Sequence, residues 1–326
     1  MKESKKMQVE KELDEFLIRK HYRLVNSVLF YQDGELLLEK YYNKFTKESR
    51  NNIKSIWKSI LAICVGICID KGWIKSIEEP VFHYLKEFDG SRDPYHKMLK
   101  IKYLLTMTSG IYWNGGIHYH CPMLAQCIRS KDFVEYISNI AIKDIPGTVF
   151  VYKEWDIILL SAVIGKAAGR NSYEVCKEYL YNPLKIVSNA WYTGFDGVCF
   201  TIPSINFHGM NAVEEEAKSD LSARDIAKLG FLFLDFGIYQ GKRIVSKEWI
   251  QQVLTPCSCN KEYGMLWWLG ENFYGCRGFG GQEMTVLPEK RIVFVVQATA
   301  TPSSKSYGDL FPFVYDSITR NLNAKG

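Results

Sequence analysis

The chain has 326 residues, a length that suits one large domain or two closely associated ones. Its composition, 47% hydrophobic and 24% charged, is that of a globular protein and excludes a disordered, collagen-like or coiled-coil chain. The formal net charge of +5 is small for this length, so charge does not indicate a nucleic-acid partner.

The N-terminal segment predicts a helix rather than a targeting signal. Residues 1–19 contain neither an apolar core nor a small-residue cleavage site, so we expect no secretory signal peptide. Leu13, Phe16 and Leu17 recur at helical spacing among charged residues, which indicates an amphipathic helix. The longest apolar run, 60–69, is about half as long as the roughly twenty residues that cross a bilayer. We therefore expect a cytoplasmic protein without a membrane partner.

Alternating apolar residues predict strands near both ends of the chain. Near the start, strands at 27–32 and 35–42 flank Asp33-Gly34, a dipeptide typical of a hairpin turn. Near the end, further elements are expected: strands at 263–269, 282–287 and 291–297, then a closing helix at 310–322.

The middle of the chain has mostly helical spacing. Its first helix is expected at 55–71 and ends at Gly72, a residue type that suits the position after a helix. Further helices are expected at 132–142, 156–168, 173–180, 223–236 and 247–253.

The predicted fold class is α+β, with an antiparallel sheet that is built from both chain ends and flanked by helices. We assign 1–75 and 255–326 to this α/β lobe and 76–254 to a mostly helical inserted lobe. A cleft between two such lobes is a common place for a ligand, so we expect the active site there.

Ser55 and Lys58 are the first candidates for chemistry. They lie three residues apart at the start of the helix expected at 55–71, so the hydroxyl and the amine share one helix face. The helix N-terminus adds backbone N–H groups and the positive end of the dipole. A lysine in a dry cleft can lose its proton near neutral pH and activate the hydroxyl. The same pattern recurs at Ser258 and Lys261 in a predicted loop, where we interpret it as chance.

Several further blocks follow Ser55 in a fixed order. They are the apolar run through Gly72 at 60–74, LLTMTSGI at 104–111, PGTVFVY at 146–152, SARDIAK at 222–228 and GFGGQ at 278–282. From about residue 25 to the C-terminus, the chain closely resembles the β-lactamase-related serine hydrolases. That superfamily includes class C β-lactamases, DD-carboxypeptidases, esterases and nylon-oligomer hydrolases. The resemblance implies the β-lactamase/transpeptidase-like fold.

The resemblance also implies roles for particular residues. Ser55 matches the nucleophile that is acylated, and Lys58 matches the lysine that shares or relays its proton. Tyr152 matches the first residue of the Tyr-x-Asn motif, which moves protons during acylation and deacylation. Acting as a base would require a lowered phenol pKa, and Lys58 is the natural source of the positive charge.

The third motif of the family matches Phe279-Gly280-Gly281, followed by Gln282. We expect the two glycines on an edge strand, where they would let a substrate backbone approach closely. By the resemblance, the backbone N–H of Gln282 pairs with that of Ser55 as the oxyanion hole.

Two substitutions depart from the family pattern. Phe279 stands where penicillin-recognising relatives carry a cation for the β-lactam carboxylate, so we expect poor β-lactam hydrolysis. Glu154 stands in place of the Asn of Tyr-x-Asn. A carboxylate there would favour the ammonium form of Lys58 and shift the burden of acting as base to Tyr152. Alternatively, Glu154 binds a cationic substrate or turns outward to solvent.

Aromatic residues and cysteines leave further alternatives. Tyr112, Trp113, Trp267 and Trp268 could line an apolar pocket or belong to the core, and we include Trp113 among the substrate-binding candidates. The nine cysteines are an odd number without disulfide or metal-ligand spacing, which favours reduced thiols and no metal. His118, His120 and Cys121 lack a second half at zinc-ligand spacing, and so do Cys257 and Cys259.

These patterns predict a cofactor-free serine hydrolase that forms an acyl-enzyme on an ester or amide. The expected partner is a small-molecule or peptide-like substrate. Two alternatives remain open: a degenerate relative that binds without turnover, and an acyl transferase that uses the same acyl-enzyme. Pocket shape depends on loops 112–130 and 195–220, which carry no motif that identifies the substrate.

Overall fold

A six-stranded antiparallel sheet brings together the two ends of the chain. The computed structural model describes residues 3–115, 121–201, 219–301, 304 and 306–323. The strands of this sheet lie in the order β2-β1-β12-β11-β10-β9. Their bounds are β1 Val25–Gln32, β2 Glu35–Tyr41, β9 Trp268–Leu269, β10 Tyr274–Gly278, β11 Gln282–Leu287 and β12 Ile292–Ala298. The predicted α+β fold with an antiparallel sheet from both chain ends is confirmed.

Three short two-stranded ladders lie outside this sheet. They pair β3 Arg50–Asn52 with β6 Asp220–Ser222, β4 Tyr192–Thr193 with β5 Cys199–Phe200, and β7 Ile238–Tyr239 with β8 Lys242–Arg243. In the first of these ladders, strand β3 ends three residues before Ser55 and so positions the chain that leads to it.

Helices fill the middle of the chain and both of its ends. The α-helices are α1 Glu3–Arg19, α2 Ile56–Asp70, α3 Ile101–Leu105, α4 Pro122–Arg129, α5 Phe133–Ser138, α6 Trp155–Ala168, α7 Ser172–Cys176, α8 Asn182–Leu184, α9 Ala223–Leu234, α10 Lys247–Val253 and α11 Leu310–Asn323. Single 3₁₀ turns cover Val81–His83, Lys86–Phe88 and Pro94–Met98, and a π-helical turn covers Lys177–Tyr181. Within the described ranges, every helix falls short of the length and apolar character needed to cross a membrane.

The alternation of strand side chains divides the apolar residues between two cores. On β1, Val28 and Phe30 face the cluster formed with the terminal helices α1 and α11. Leu29 and Tyr31 face the larger core that contains α2 and α9. The predicted amphipathic helix at the N-terminus is confirmed, since Val9 and its helical neighbours Leu13, Phe16 and Leu17 are buried.

Helix α2 lies inside the larger core, and all its residues from Ile56 to Cys68 are buried. A Cβ at Gly66 would lie 2.1 Å from the Trp249 ring, so this glycine lets α10 approach closely. The Trp249 indole N–H donates to the Ala62 carbonyl at 3.0 Å. The helix that begins beside Ser55 is therefore held rigidly on all sides.

The strand predicted at 263–269 is wrong over most of its length. Only Trp268–Leu269 is a strand, because the chain bends sharply at Leu266, where φ is +62°. Strand β10 was not predicted, since Gly275 and Gly278 interrupt its pattern. Gly275 is required there because a Cβ would lie 2.1 Å from the Met284 carbonyl oxygen on the neighbouring strand.

Other local predictions hold more closely. Asp33 and Gly34 have φ of +52° and +80° in the turn between β1 and β2, as the hairpin prediction requires. The helix expected at 132–142 ends early, at Ser138. The division into lobes at 1–75 with 255–326 and 76–254 stays a prediction.

Candidate active site

Ser55 lies at the N-terminus of α2 and is partly exposed. Its hydroxyl makes no capping hydrogen bond to the helix, which leaves it free for other partners. The preceding residue, Lys54, has φ of +51°, an unusual conformation outside glycine, so the chain turns sharply into the helix. The sequence therefore places this serine at a tight strand-to-helix turn.

Lys58 lies one turn along α2 from Ser55, as the spacing predicts. Its Nζ donates to Ser55 Oγ at 3.0 Å and to Glu154 Oε1 at 2.9 Å. The lysine is only 2% exposed. Burial opposes its charge and is the largest single influence, but attraction and hydrogen bonding to Glu154 and Tyr152 together outweigh it and hold the pKa of Lys58 above its ordinary value of 10.5. The resting state of Lys58 is therefore an ammonium.

Tyr152 lies beside this pair. Lys58 Nζ is 5.1 Å from the centre of its ring, which stacks on Trp268 with centroids 6.1 Å apart. A phenol that acts as a base needs a lowered pKa, and Lys58 does lower the pKa of Tyr152, but burial dominates. It raises the pKa of Tyr152 above 10.0, and the lowering by Lys58 is only partial. The phenol is therefore protonated at neutral pH.

Glu154 is the N-terminal flanking residue of α6 and is 6% exposed. The prediction that it could turn outward to solvent is wrong, because Oε1 accepts the Lys58 hydrogen bond inside the protein. Its other oxygen, Oε2, is buried without a hydrogen-bond partner among the described residues. A carboxylate at a helix N-terminus is favoured by the dipole, so the fold supports the charge.

The segment Phe279-Gly280-Gly281 forms the turn of the hairpin between β10 and β11. Our expectation that the glycines lie on an edge strand is wrong, because they lie in the turn after β10 rather than in a strand. The glycines have φ of +81° and +90°, so the three-residue turn requires them. A Cβ on Gly278 would lie 2.3 Å from the Ile53 carbonyl oxygen, which places this hairpin against the segment before Ser55.

The Gln282 side chain is buried in an amide network. Its Oε1 accepts from Asn51 at 3.0 Å, and its Nε2 donates to the Ala298 carbonyl at 2.5 Å. Asn51 also accepts from Asn26 at 3.0 Å. This network fixes the strand before Ser55 to the end of the hairpin, so the side chain of Gln282 is structural and only its backbone N–H remains a candidate donor to substrate.

A second buried ion cluster lies on the other side of residues 152–156. Lys153 Nζ donates to Ser109 Oγ and to the Ile111 carbonyl, both at 3.1 Å, and Ser109 Oγ donates to Asp156 Oδ1 at 2.5 Å. Burial raises the pKa of Asp156 from 3.8 to about 6, against the attraction of Lys153. Sequence analysis did not identify Lys153 and Asp156. Two charged residues at the start of the apolar helix α6 could have indicated a buried ion cluster.

The aromatic candidates separate into core and site. Trp267 is fully buried and stacks on Phe233 with centroids 3.7 Å apart, so it belongs to the core. Trp268 is partly exposed against Tyr152 and belongs to the site. Trp113 is partly exposed and packs edge-to-face on Trp155, the residue after Glu154, at 4.9 Å.

The other candidates lie elsewhere. Ser258 is exposed in a turn, without a helix N-terminus. His118 and His120 lie outside the described residues, whereas the Cys121 thiol donates to the Asn114 carbonyl at 2.9 Å. In the part of the chain that the structure covers, no three His, Cys, Asp or Glu side chains converge as a metal site, and Cys257 and Cys259 are free thiols.

Comparisons with known proteins identify relatives of this chain by sequence and by fold. The chain is 24% identical to the 6-aminohexanoate-dimer hydrolase of Paenarthrobacter ureafaciens, over 92% of this chain and 79% of that relative. It superposes on a putative beta-lactamase from Bacteroides dorei with a TM-score of 0.76 and 17% identity, over 95% and 98% of the two chains. The structure of EstCE1, a hydrolase with promiscuous acyltransferase activity, superposes on this chain with a TM-score of 0.70 and 15% identity, over 96% of this chain and 99% of that chain. Since the Beta-lactamase family model matches residues 9–316, the chain belongs to that family.

Proposed function

We propose that this protein is a serine hydrolase that forms an acyl-enzyme on Ser55 with ester or amide substrates. One observation carries the proposal: the buried Lys58 amine lies 3.0 Å from the partly exposed Ser55 hydroxyl at a helix N-terminus. A nucleophile within hydrogen-bond reach of a base, which a third group orients, is the arrangement that covalent catalysis requires.

Each remaining residue has a role in this proposal. Tyr152 supplies the proton of the leaving group, because its phenol is protonated at neutral pH. The backbone N–H groups of Ser55 and Gln282 bind the developing oxyanion, as the family resemblance implies. The hairpin turn that lies against Ile53 supports this pairing.

The substrate class follows from what surrounds the nucleophile. Phe279 offers no cation for a β-lactam carboxylate, whereas Trp268 and Tyr152 present aromatic surface beside the site. The 24% identical relative is named for hydrolysis of an amide dimer. We therefore favour an ester or amide that needs no carboxylate at the Phe279 position over a penicillin.

Active-site labelling tests the proposal. Purified protein is treated with a fluorophosphonate, and intact mass and peptide mapping locate the adduct, with Ser55→Ala as the matched control. A panel then follows turnover of p-nitrophenyl butyrate, an alkyl ester, the 6-aminohexanoate dimer and a cephalosporin. We expect one adduct on Ser55, ester or amide turnover that Ser55→Ala abolishes, and little cephalosporin turnover.

Other outcomes favour the alternatives. Binding of these substrates without an adduct or turnover would contradict the proposal and support a degenerate binding protein. Products that pass to an added amine rather than to water would identify an acyl transferase, an activity named for the structural relative EstCE1. Rapid cephalosporin turnover would overturn the substrate assignment.

A further inference from the structure

We propose that Glu154 is the third member of a buried proton relay, Ser55–Lys58–Glu154, in which it is a positioning residue that acts through Lys58. The inference rests on the proposed function, since it describes how Ser55 is activated. The geometry points to it, because one Nζ donates both to the Ser55 hydroxyl at 3.0 Å and to the Glu154 carboxylate at 2.9 Å.

The burial of Glu154 selects among the roles open to this carboxylate. It is 6% exposed, and its Oε2 is sealed from solvent without a hydrogen-bond partner among the described residues. A substrate ammonium would have to reach an oxygen that solvent does not reach, so recognition of a cationic substrate is disfavoured. The contact with Lys58 at 2.9 Å is what the structure shows, and it carries the proposed role.

The other charges around this pair do not replace Glu154. Tyr152 faces both Lys58 and Glu154 from the segment before α6, and Asp156 and Tyr263 lie within electrostatic range of the carboxylate. The Cys121 thiol also lies within electrostatic range of the carboxylate. Asp156 is already engaged with Ser109 and Lys153, which leaves Glu154 as the carboxylate in contact with Lys58.

The relay gives the serine proton a destination. Lys58 passes one proton to Glu154 Oε1 and becomes a neutral amine. The lone pair of Nζ then takes the hydroxyl proton as Ser55 Oγ bonds to the substrate carbonyl carbon, whose C=O electron pair moves to oxygen. Transfer between buried partners replaces two charges by two neutral groups, so burial reduces the energetic cost of leaving the ion pair.

Collapse of the tetrahedral intermediate restores the resting state. The bond from carbon to the leaving group breaks, and the leaving group takes the proton of Tyr152. Lys58 reprotonates Tyr152, and Glu154 returns its proton to Lys58. The net change is transfer of the Ser55 proton to the leaving group, so every proton is accounted for and no outside reagent is needed.

The test measures the rate of fluorophosphonate labelling of Ser55 from pH 5 to 10. Fluoride leaves without a proton, so this rate reports the base rather than Tyr152. We compare the wild type with Glu154→Gln, which keeps an acceptor for Lys58 but not the charge, and with Glu154→Asp, which keeps the charge.

We expect the acid limb of the Glu154→Gln profile to move at least about one pH unit toward alkaline. In wild type, Glu154 takes the Lys58 proton, so labelling does not require Lys58 to lose that proton to solvent. Without the carboxylate, the rate follows loss of the proton from Lys58 to solvent, at a pKa that burial holds down. Labelling at pH 6 should fall at least about tenfold below wild type and recover at pH 9. Glu154→Asp should keep the acid limb at the wild-type pH, with a lower maximum labelling rate.

A Glu154→Gln profile that is parallel to wild type at every pH would overturn the relay, since a structural role lowers the rate without moving the limb. If Glu154→Gln does not fold, the wild-type profile decides instead. Labelling at pH 6 within about tenfold of the rate at pH 9 supports the relay, because Lys58 is an ammonium at pH 6 and needs Glu154 as its proton acceptor. Labelling that appears only as the pH nears the raised pKa of Lys58 overturns it. Failure of wild-type Ser55 to react at all would instead contradict the proposed function.

Discussion

Two buried clusters of the same composition flank the segment 152–156, and they differ in what lies at the centre. Around Ser55, the lysine is central, since Lys58 joins the serine to Glu154. Around Ser109, the serine is central, since its hydroxyl accepts from Lys153 and donates to Asp156.

Exposure separates the two clusters further. Ser55 is partly exposed at a helix N-terminus, whereas Ser109 is fully buried. A serine whose hydroxyl proton already has a carboxylate acceptor, and which no substrate can reach, contributes to structure. A serine that accepts from a lysine and faces solvent keeps its own proton for transfer. Serine, lysine and carboxylate are therefore insufficient by themselves, and their order and access decide the function.

The largest expected effect separates the two lysines. Lys58→Met should lower the rate of Ser55 labelling by about 10³-fold or more, because it removes the base and the link to Glu154. Lys153→Met should keep labelling within about tenfold of wild type. Each change leaves a buried carboxylate without its partner, so both should lose about 3 kcal/mol of unfolding free energy.

The measurement compares labelling at a temperature at which circular dichroism shows both variants folded. Equal losses of labelling in the two variants would contradict the functional difference between the clusters.

The next effect concerns the acid beside the Ser55 cluster. Tyr152→Phe should slow hydrolysis of an alkyl ester by about 10²-fold or more, because the leaving alkoxide needs a proton. A p-nitrophenyl ester should be affected far less, since its leaving group departs as an anion. Tyr263→Phe is the matched control, a buried tyrosine whose ring lies 6.3 Å from that of Tyr152. An equal loss with both esters in Tyr152→Phe would exclude the role of acid.

Sequence predicts the Ser55 cluster better than the Ser109 cluster for a physical reason. Ser55 and Lys58 are neighbours on one helix, so their contact follows from helical spacing alone. Ser109 meets Lys153 across a long stretch of chain, and only the tertiary fold determines that contact.

The same distinction applies to the fold. The Asp33-Gly34 hairpin and α2 follow from local pattern, and both are where the sequence predicts them. Strand β10 does not follow from local pattern. Its Gly275 is required by the close approach of Met284 on the neighbouring strand, which the local sequence does not reveal. The direction of the Tyr152 pKa also could not be predicted, since it depends on how deeply the phenol is buried.

A third prediction uses the pH dependence of the Ser109 cluster. The pKa of Asp156 is raised from 3.8 to about 6, so the native state binds this proton more tightly than the unfolded state. The stability contributed by the protonated form is present below about pH 4 and is lost as pH rises through 6. Relative to Asp156→Asn, wild type should lose about 2 kcal/mol between pH 4 and pH 7.

Urea unfolding of both proteins at several pH values measures this difference. A stability difference that stays constant from pH 4 to pH 7 would show that Asp156 ionises in the native state as it does in the unfolded chain.

The smallest effect compares the two serines directly. Ser109→Ala removes the hydroxyl that joins Lys153 to Asp156, and hydrogen bonds to charged groups contribute about 1.5–3 kcal/mol each. Lys153 keeps its bond to the Ile111 carbonyl, so we expect a net loss of about 2 kcal/mol by thermal or urea unfolding. Labelling of Ser55 should stay within about threefold of wild type.

Ser55→Ala should give the opposite result. Its hydroxyl is partly exposed and does not cap α2, and Lys58 keeps Glu154 as a partner when the hydroxyl is removed. Unfolding free energy should therefore stay within about 0.5 kcal/mol of wild type while labelling is abolished. A Ser55→Ala protein as destabilised as Ser109→Ala would mean that the Ser55 hydroxyl supports the fold, and the contrast between an accessible reactive serine and a sealed structural one would not hold.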